Sequence, residues 1–284
     1  CVTIHTIFVF SLNVPCVNMR AVFVASDNIF SPIGNTTEEN MVNLEKNISG
    51  VQRHENDSLS PVPFYASLFS HQSFPDTSGK YSKFEQLLIQ SISGALKDGD
   101  IDAADPGTIL IISTTKGNIS LLETGPVTAA TKQRIAVNTS AELIAKHFGF
   151  IHTPVIVSNA CISGMLAILT GMRMLQSGKY DHAVVAGADT ISKFILSGFQ
   201  SFQAVSDDIC KPFDANRKGI NLGEGAATVV LSVNPQYKNN IRITGGSVSN
   251  DANHISGPSR TGEELCLAIH KTLHEAGVKS SEID

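Results

Sequence analysis

The sequence lacks the features that mark several large classes of protein. It has five cysteines, at positions 1, 16, 161, 210 and 266, but no Cys-x-x-Cys pair and no matching histidine spacing. This argues against a metal site and a disulfide framework, and it indicates a reducing, cytoplasmic location. No basic cluster offsets the net charge of −5, so no nucleic-acid partner is expected. No segment reaches the roughly 18 apolar residues that a membrane span requires.

What is present describes a packed globular protein. A chain of 284 residues can form one large domain or two medium ones around a substantial core. Hydrophobic residues make up 42% of the sequence and charged residues 17%, which is typical of folded rather than disordered chains.

The first 18 residues are apolar and contain no lysine or arginine, so they lack the charged start of a secretory signal. Residues 20–26 read as a first strand, which makes Met19 the predicted natural initiator and 1–18 an upstream extension. The alternative is an additional edge strand, because short apolar runs are ambiguous.

Strands that alternate with helices predict an α/β fold with mostly parallel sheets covered on both faces. The predicted strands are 20–26, 107–113, 155–157, 182–188, 226–233 and 241–248. The predicted helices begin at the capping residues Thr36, Ser82 and Thr139, and further helical segments are 164–178, 190–209 and 261–277. Residues 49–79 are predicted to form a long surface loop, and the polar segment 234–240 is the best boundary between domains.

Cys161 follows the predicted strand 155–157 and precedes a helix of small residues. A sulfur in the first turn of that helix would face free backbone N–H groups and the positive end of the helix dipole, which favour a thiolate. The same N–H groups could stabilise an oxyanion. The sequence therefore makes Cys161 a candidate nucleophile, and the alternative is a small buried hydrophobic residue.

A glycine-rich, charged block over 211–226 runs directly into a predicted strand. Asp214, Arg217 and Glu224 in this block could form a buried network of ion pairs, which would shape a site rather than perform chemistry. A second polar block, residues 250–258, follows the strand predicted at 241–248.

Four motifs in order, SNACISG, AGADT, KPFDANRKGINLGEGAATVVL and SNDANHISGP, closely resemble the β-ketoacyl-acyl carrier protein synthases of the thiolase-like superfamily. The resemblance covers residues 19–284. It implies a layered α-β-α-β-α architecture whose second half is incomplete here, with an N-terminal domain over 19–236 and the start of a C-terminal domain over 237–284. It also implies a dimer and an acyl carrier protein as partner, and it requires no cofactor.

The resemblance implies that Cys161 accepts an acyl chain and that a malonyl thioester is then decarboxylated to a carbanion that attacks it. The family uses two histidines as donors in the second step, and no histidine of this sequence matches either. We therefore expect that the 284 residues alone cannot condense substrates.

The resemblance places three further residues at the substrate pocket: Lys116, Phe199 and His254. His254 is expected to be structural or near the site rather than a decarboxylation donor. Lys116 falls where the family usually has an apolar residue at the end of the acyl pocket. If it faces the pocket, a shorter, conjugated or polar chain is expected, as in polyketide or aryl-polyene assembly, because a buried unpaired cation is costly. The alternative is that Lys116 reaches solvent.

Three other classes of protein compete with a condensing acyltransferase of fatty acid or polyketide synthesis. A degradative thiolase is a weaker alternative, because its nucleophile lies nearer the N-terminus and it lacks a block like PFDANRKG, which is residues 212–219 here. A non-catalytic, chain-length-type partner subunit of a heterodimer usually lacks the cysteine. A cysteine hydrolase would need an adjacent histidine base, which the sequence does not place.

Overall fold

The computed structural model describes residues 19–70, 74, 79–250 and 261–283. The extension 1–18 and the loop that contains His254 lie outside these ranges. The strands are β1 Val22–Phe30, β2 Val51–His54, β3 Phe64–Ser67, β4 Thr108–Ser113, β5 Val155–Val157, β6 His182–Asp189, β7 Leu222–Gly223, β8 Gly225–Ser232 and β9 Arg242–Ile243. The helices are α1 Thr37–Glu45, α2 Lys83–Gly99, α3 Ala129–Ile135, α4 Val137–Phe148, α5 Ser163–Gln176, α6 Lys193–Ser201 and α7 Glu263–Ala276.

Six strands form the main sheet in the order β5-β4-β6-β8-β1-β9. β4 runs parallel to β5 and β6, whereas β8 is antiparallel to both β6 and β1, and β9 is antiparallel to β1. The prediction of an α/β fold is confirmed, but the prediction of mostly parallel pairing is wrong. After β6 the chain passes through α6 and re-enters the sheet beside the carboxyl end of β6, where Asp189 pairs with Gly225. β8 therefore runs antiparallel to β6.

Helices cover both faces of the sheet, as the sequence predicted. Residues of α2 and α4, including Leu88 and Ile144, share one hydrophobic core with Leu110 of β4. On the other face, Met172 of α5 packs in a second core with Ile111 of the same strand. All six residues of β4 are buried, which explains its continuous apolar run. Burial of each large aliphatic side chain contributes about 1.5–3 kcal/mol.

Two of the three predicted capping residues begin helices. Thr36 accepts a hydrogen bond from the Glu39 N–H at the start of α1, and Ser82 with Glu85 forms a complete capping box at the start of α2. The cap predicted at Thr139 is wrong, because α4 already begins at Val137 after an uncapped Ala136. A capping box that the sequence analysis missed lies just upstream, where Thr128 begins α3.

The segment 49–79, predicted as a loop, contains a small sheet. β2 and β3 pair in antiparallel register, and β3 also pairs in parallel with β7. The sequence did not predict these strands for two reasons. Gln52 and Arg53 of β2 are exposed polar residues, so β2 shows no apolar pattern. The other partner of β3, β7, lies about 155 residues further along the chain.

The strand predicted over 241–248 is also wrong in length. Only Arg242–Ile243 forms β9, which joins the main sheet beside β1. The chain then passes close to α5, where a Cβ on Gly246 would lie 2.1 Å from Leu169 Cδ2. Helix α7 follows beside α5, to which the Arg173–Glu275 ion pair connects it.

Candidate active site

The cysteine predicted as a nucleophile lies on a tight turn between β5 and α5. Residues 160–162 form one turn of 3₁₀ helix, and α5 starts at Ser163. Cys161 therefore precedes the N-cap of α5 instead of lying in its first turn. Its side chain is exposed, so the alternative of a small buried hydrophobic residue is wrong.

The turn is held in an unusual conformation by its neighbours. Ala160 has a φ of +46°, a left-handed value that costs an L-residue about 1–2 kcal/mol. The Ser163 hydroxyl donates to the Ala160 carbonyl oxygen at 2.7 Å and accepts from the Asn159 N–H at 2.8 Å. Ser163 itself is buried, so these two bonds fix the backbone on both sides of the thiol.

Three residues that line one cavity come from the carboxyl ends of three adjacent parallel strands. Ser113 at the end of β4 pairs with Val157 of β5 and with Gly187 of β6. Cys161 follows β5, Lys116 follows β4, and Asp189 is the last residue of β6. Because ligands of α/β sheets bind outside the carboxyl ends of parallel strands, this edge is the expected place for a site.

The cavity has a volume of about 1010 Å³ and is mostly apolar. The aliphatic and aromatic side chains that line it belong to Ile29, Phe30, Ile168, Val185, Ile191, Ile195, Phe199, Phe202, Leu222 and Val229. Cys161 lines the same cavity, as do Lys116 and Phe199, so three predicted residues come together. The volume and lining are suited to an extended apolar group of a small ligand.

Lys116 and Asp189 are the only charged residues among the described residues that line the cavity. Lys116 is half-buried, and its ammonium group donates to Thr115 Oγ1 at 2.5 Å. The Thr114 hydroxyl lies 3.5 Å from Asp189 Oδ1. Asp189 is an exposed residue at the end of its strand, but partial desolvation by the surrounding protein raises the pKa of its carboxyl above the ordinary value, although the charge of Lys116 and the Thr114 hydrogen bond oppose this change. The sequence analysis did not select Asp189, although it directly follows the predicted strand 182–188.

Glu224 is buried and ion-paired, but its partners are not the predicted ones. Its side chain is 2% exposed. One carboxylate oxygen accepts from the Ile191 N–H at 3.2 Å. The other accepts from the Phe69 N–H at 3.1 Å and from Lys83 Nζ at the start of α2. Glu224 thus joins segments that follow β3 and β6 to the start of α2.

The predicted buried network of Asp214, Arg217 and Glu224 does not form. Asp214 and Arg217 are exposed and contact each other locally, with the Arg217 guanidinium donating to the Asp214 carbonyl oxygen at 3.0 Å. Neither residue lines the cavity. The sequence placed the three charges close together along the chain, whereas the fold turns Glu224 inward and leaves the 211–218 loop outside.

No histidine is among the described residues that line the cavity. His147 lies on α4, and His270 and His274 lie on α7. His147 contacts Tyr81, whose hydroxyl lies 2.9 Å from His147 Nδ1.

Residues 19–236 match the sequence profile of the β-ketoacyl synthase N-terminal domain, which is most of the chain. The chain belongs to the β-ketoacyl synthase family. Its fold is accordingly the thiolase-like α/β fold, of which the described residues show one helix-covered sheet and a further helix, α7.

Relatives of this β-ketoacyl synthase carry consistent names. A mitochondrial protein of Schizosaccharomyces pombe, named as a 3-oxoacyl-acyl-carrier-protein synthase, is 26% identical over 94% of this chain and 72% of its own length. The 3-oxoacyl-acyl-carrier-protein synthase 2 of Vibrio cholerae is 27% identical over 93% of this chain and 71% of its own length. These relatives are acyltransferases, which supports a condensing-enzyme function.

A solved structure shares this fold. A chain of the complex between the ketosynthase ApeO and its chain length factor ApeC from Xenorhabdus doucetiae superposes on this β-ketoacyl synthase with a TM-score of 0.82. It is 22% identical, and the match covers 93% of this chain and 70% of that one.

Within the described ranges, no helix is both long and apolar enough to cross a bilayer.

Proposed function

We propose that this β-ketoacyl synthase uses Cys161 to accept an acyl group from acyl carrier protein and extends that group with a malonyl unit. The observation that carries the proposal is the exposed thiol on a fixed turn at the mouth of a large apolar cavity. The names of its relatives supply the carrier protein as the partner. The product would serve fatty acid or polyketide synthesis.

In the first step, the Cys161 sulfur attacks the thioester carbonyl of the acyl carrier. A carbon–sulfur bond forms, the carrier thiol leaves, and the Cys161 backbone N–H would donate to the oxyanion of the intermediate, as the resemblance to the family implies. In the second step, a malonyl thioester loses carbon dioxide, and the resulting carbanion attacks the acyl-cysteine carbonyl. The new carbon–carbon bond releases the Cys161 thiolate, so the enzyme is regenerated.

The second step requires strong hydrogen-bond donors for the negative charge that forms on the malonyl thioester oxygen. Histidines perform this role in the family, and the described cavity wall presents none. We therefore expect the 284 residues alone to become acylated without condensing.

A non-catalytic partner subunit is the alternative function, since a structural neighbour is a complex between a ketosynthase and a chain length factor. The presence of Cys161 at the cavity argues for the catalytic subunit. A homodimer or a heterodimer would use the edge strand β5, which pairs only with β4 among the described strands. A cytoplasmic location is part of the same proposal.

The carrier protein is acidic, so its docking surface should be basic. Lys80 and Lys83 are candidates for this surface, but Lys83 is engaged with the buried Glu224 carboxylate. The Lys80 ammonium group lies 4.8 Å from the centroid of the Tyr81 ring.

Intact-mass measurement of the protein after incubation with acyl carrier tests this proposal. We expect a mass gain of one acyl group, its loss in Cys161→Ala, and its retention in Cys266→Ala, which removes another exposed thiol. Acylation that persists in Cys161→Ala would contradict the proposal. Release of labelled carbon dioxide from malonyl carrier by the 284 residues alone, above background, would contradict the expected lack of condensation.

A further inference from the structure

We propose that Lys116 and Asp189 select an acyl chain that carries a hydroxyl group. This inference rests on the proposed function, because it names the substrate class of the cavity next to Cys161. It starts from one cation and one anion that line the same mostly apolar cavity, whose other polar lining residues are serines and threonines.

The two charged groups have unused hydrogen-bonding capacity inside the cavity. The Lys116 ammonium carries three N–H donors, and its hydrogen bond within the described residues goes to the Thr115 hydroxyl. The Asp189 carboxyl receives one long hydrogen bond, from the Thr114 hydroxyl at 3.5 Å. The two side chains form no direct ion pair with each other in the described structure, although the Lys116 charge acts on Asp189. A ligand group can therefore lie between them.

A hydroxyl group is the simplest match for this pair, because it accepts one hydrogen bond and donates another. It would accept from the Lys116 ammonium and donate to the Asp189 carboxylate. A carboxylate on the chain would be repelled by Asp189, and a carbonyl would satisfy only Lys116. A saturated chain would satisfy neither, and it would displace water from both groups without replacing the hydrogen bonds to that water, which is costly.

Both residues are anchored by the sheet, which makes the selection geometric as well as electrostatic. Thr114 directly follows β4, and Asp189 ends the neighbouring strand β6. The Thr114 hydroxyl also accepts from the Gly117 N–H at 3.1 Å. The Thr114 side chain therefore contacts both Asp189 and the turn that carries Lys116. The hydroxyl of a bound chain would thus be recognised at one distance from the Cys161 thioester rather than anywhere along the chain.

The test compares saturated acyl-N-acetylcysteamine thioesters with analogues of equal length that carry a hydroxyl at successive positions. The readout is the rate of Cys161 acylation in the natural full-length protein and in its Lys116→Met and Asp189→Asn variants. Lys146→Met and Asp98→Asn remove the same charges from exposed helix positions outside the cavity and serve as matched controls.

We expect one hydroxyl position to be preferred over the saturated chain by about tenfold to a hundredfold, as for hydrogen bonds to charged groups. Each cavity variant should bring this ratio close to one, and both controls should retain it. An unchanged ratio in Lys116→Met and Asp189→Asn, or a wild-type preference for saturated chains, would overturn the inference.

Binding of non-reactive thioether analogues to Cys161→Ala separates this inference from the proposed function. A hydroxyl preference in binding without any acylation of the wild-type protein would contradict only the role of Cys161. Acylation without a hydroxyl preference would contradict only the role of Lys116 and Asp189.

Discussion

The Ser163 hydroxyl donates to the Ala160 carbonyl oxygen across the residue that carries the thiol, at a distance of 2.7 Å. Ala160 has a left-handed φ, which strains an L-residue, and Ser163 is the first residue of the helix that follows. The hydrogen bond therefore couples a strained turn to a rigid element, and this places the Cys161 sulfur at the cavity.

Replacement of Ser163 by alanine should loosen this turn. Two hydrogen bonds of a buried hydroxyl are lost, so we expect the free energy of unfolding to fall by about 1–3 kcal/mol. The rate of Cys161 acylation should fall by roughly tenfold to a hundredfold, because the sulfur is misplaced. Ser177→Ala removes a similar hydroxyl–carbonyl bond, to Met174, just after the end of α5 and should leave the acylation rate unchanged. Equal acylation rates in both variants would refute the positioning role.

Replacement of Glu224 by glutamine should destabilise the wall of the cavity. One carboxylate oxygen becomes an N–H₂ group, which cannot accept the bonds from Ile191 or from Phe69 and Lys83. We expect a loss of about 1–3 kcal/mol in chemical denaturation, because buried donors are left without an acceptor. Glu282→Gln alters an exposed carboxylate that accepts from the Lys279 N–H, and should change stability by less than about 0.5 kcal/mol.

The Glu85 carboxylate should contribute to acid sensitivity. Burial disfavours its charged form, but hydrogen bonds from Arg134, from the Ser82 N–H and from Ser140 outweigh this, so the pKa of Glu85 lies below its ordinary value of 4.5. Near that pH the unfolded chain binds more protons at this position than the folded one, so the stabilisation is complete above the unfolded pKa and is lost as the pH falls through the folded pKa.

Glu85→Gln removes this contribution. We expect a lower free energy of unfolding at neutral pH and a shallower decline of stability below about pH 4.5, both measured by urea denaturation across pH. Glu142→Gln, at an exposed position on α4, should retain the wild-type slope. A Glu85→Gln slope as steep as that of the wild type would show that other groups dominate acid unfolding.

The sequence correctly predicted those features that depend only on residues close together in the chain, such as two helix caps and one buried strand. The cap at Thr36 and the capping box at Ser82 need only residues within three positions, and both are present. The continuous apolar run 109–112 likewise reports burial on both faces of β4. The cap predicted at Thr139 fails because α3 and α4 are separated only by Ala136, so Thr139 already lies inside a helix.

Contacts between residues far apart in the chain could not be predicted from the sequence. The ion-pair partner of Glu224 is Lys83, 141 positions away in the sequence, and not Arg217, which is close to Glu224 in the sequence. β3 pairs with β7 across a similar separation, which is why the small sheet was interpreted as a loop. Cys161 was predicted from the strand and helix on either side of it, and Lys116 and Phe199 were predicted through the resemblance. Asp189 is recognised as a cavity residue only when β6 is placed beside β4.

Cys161, Lys116 and Asp189 are each placed by a different strand, and the strands are held together by interior residues that none of the three contributes to. Adjacent strands lie about 4.8 Å apart, so the strand spacing of the sheet sets the distances between the three turns. Exchange of Lys116 or Asp189 can therefore alter which molecules are accepted without a change in the residues that pack the sheet. Evolution of new preferences in this scaffold needs only a few substitutions outside the interior.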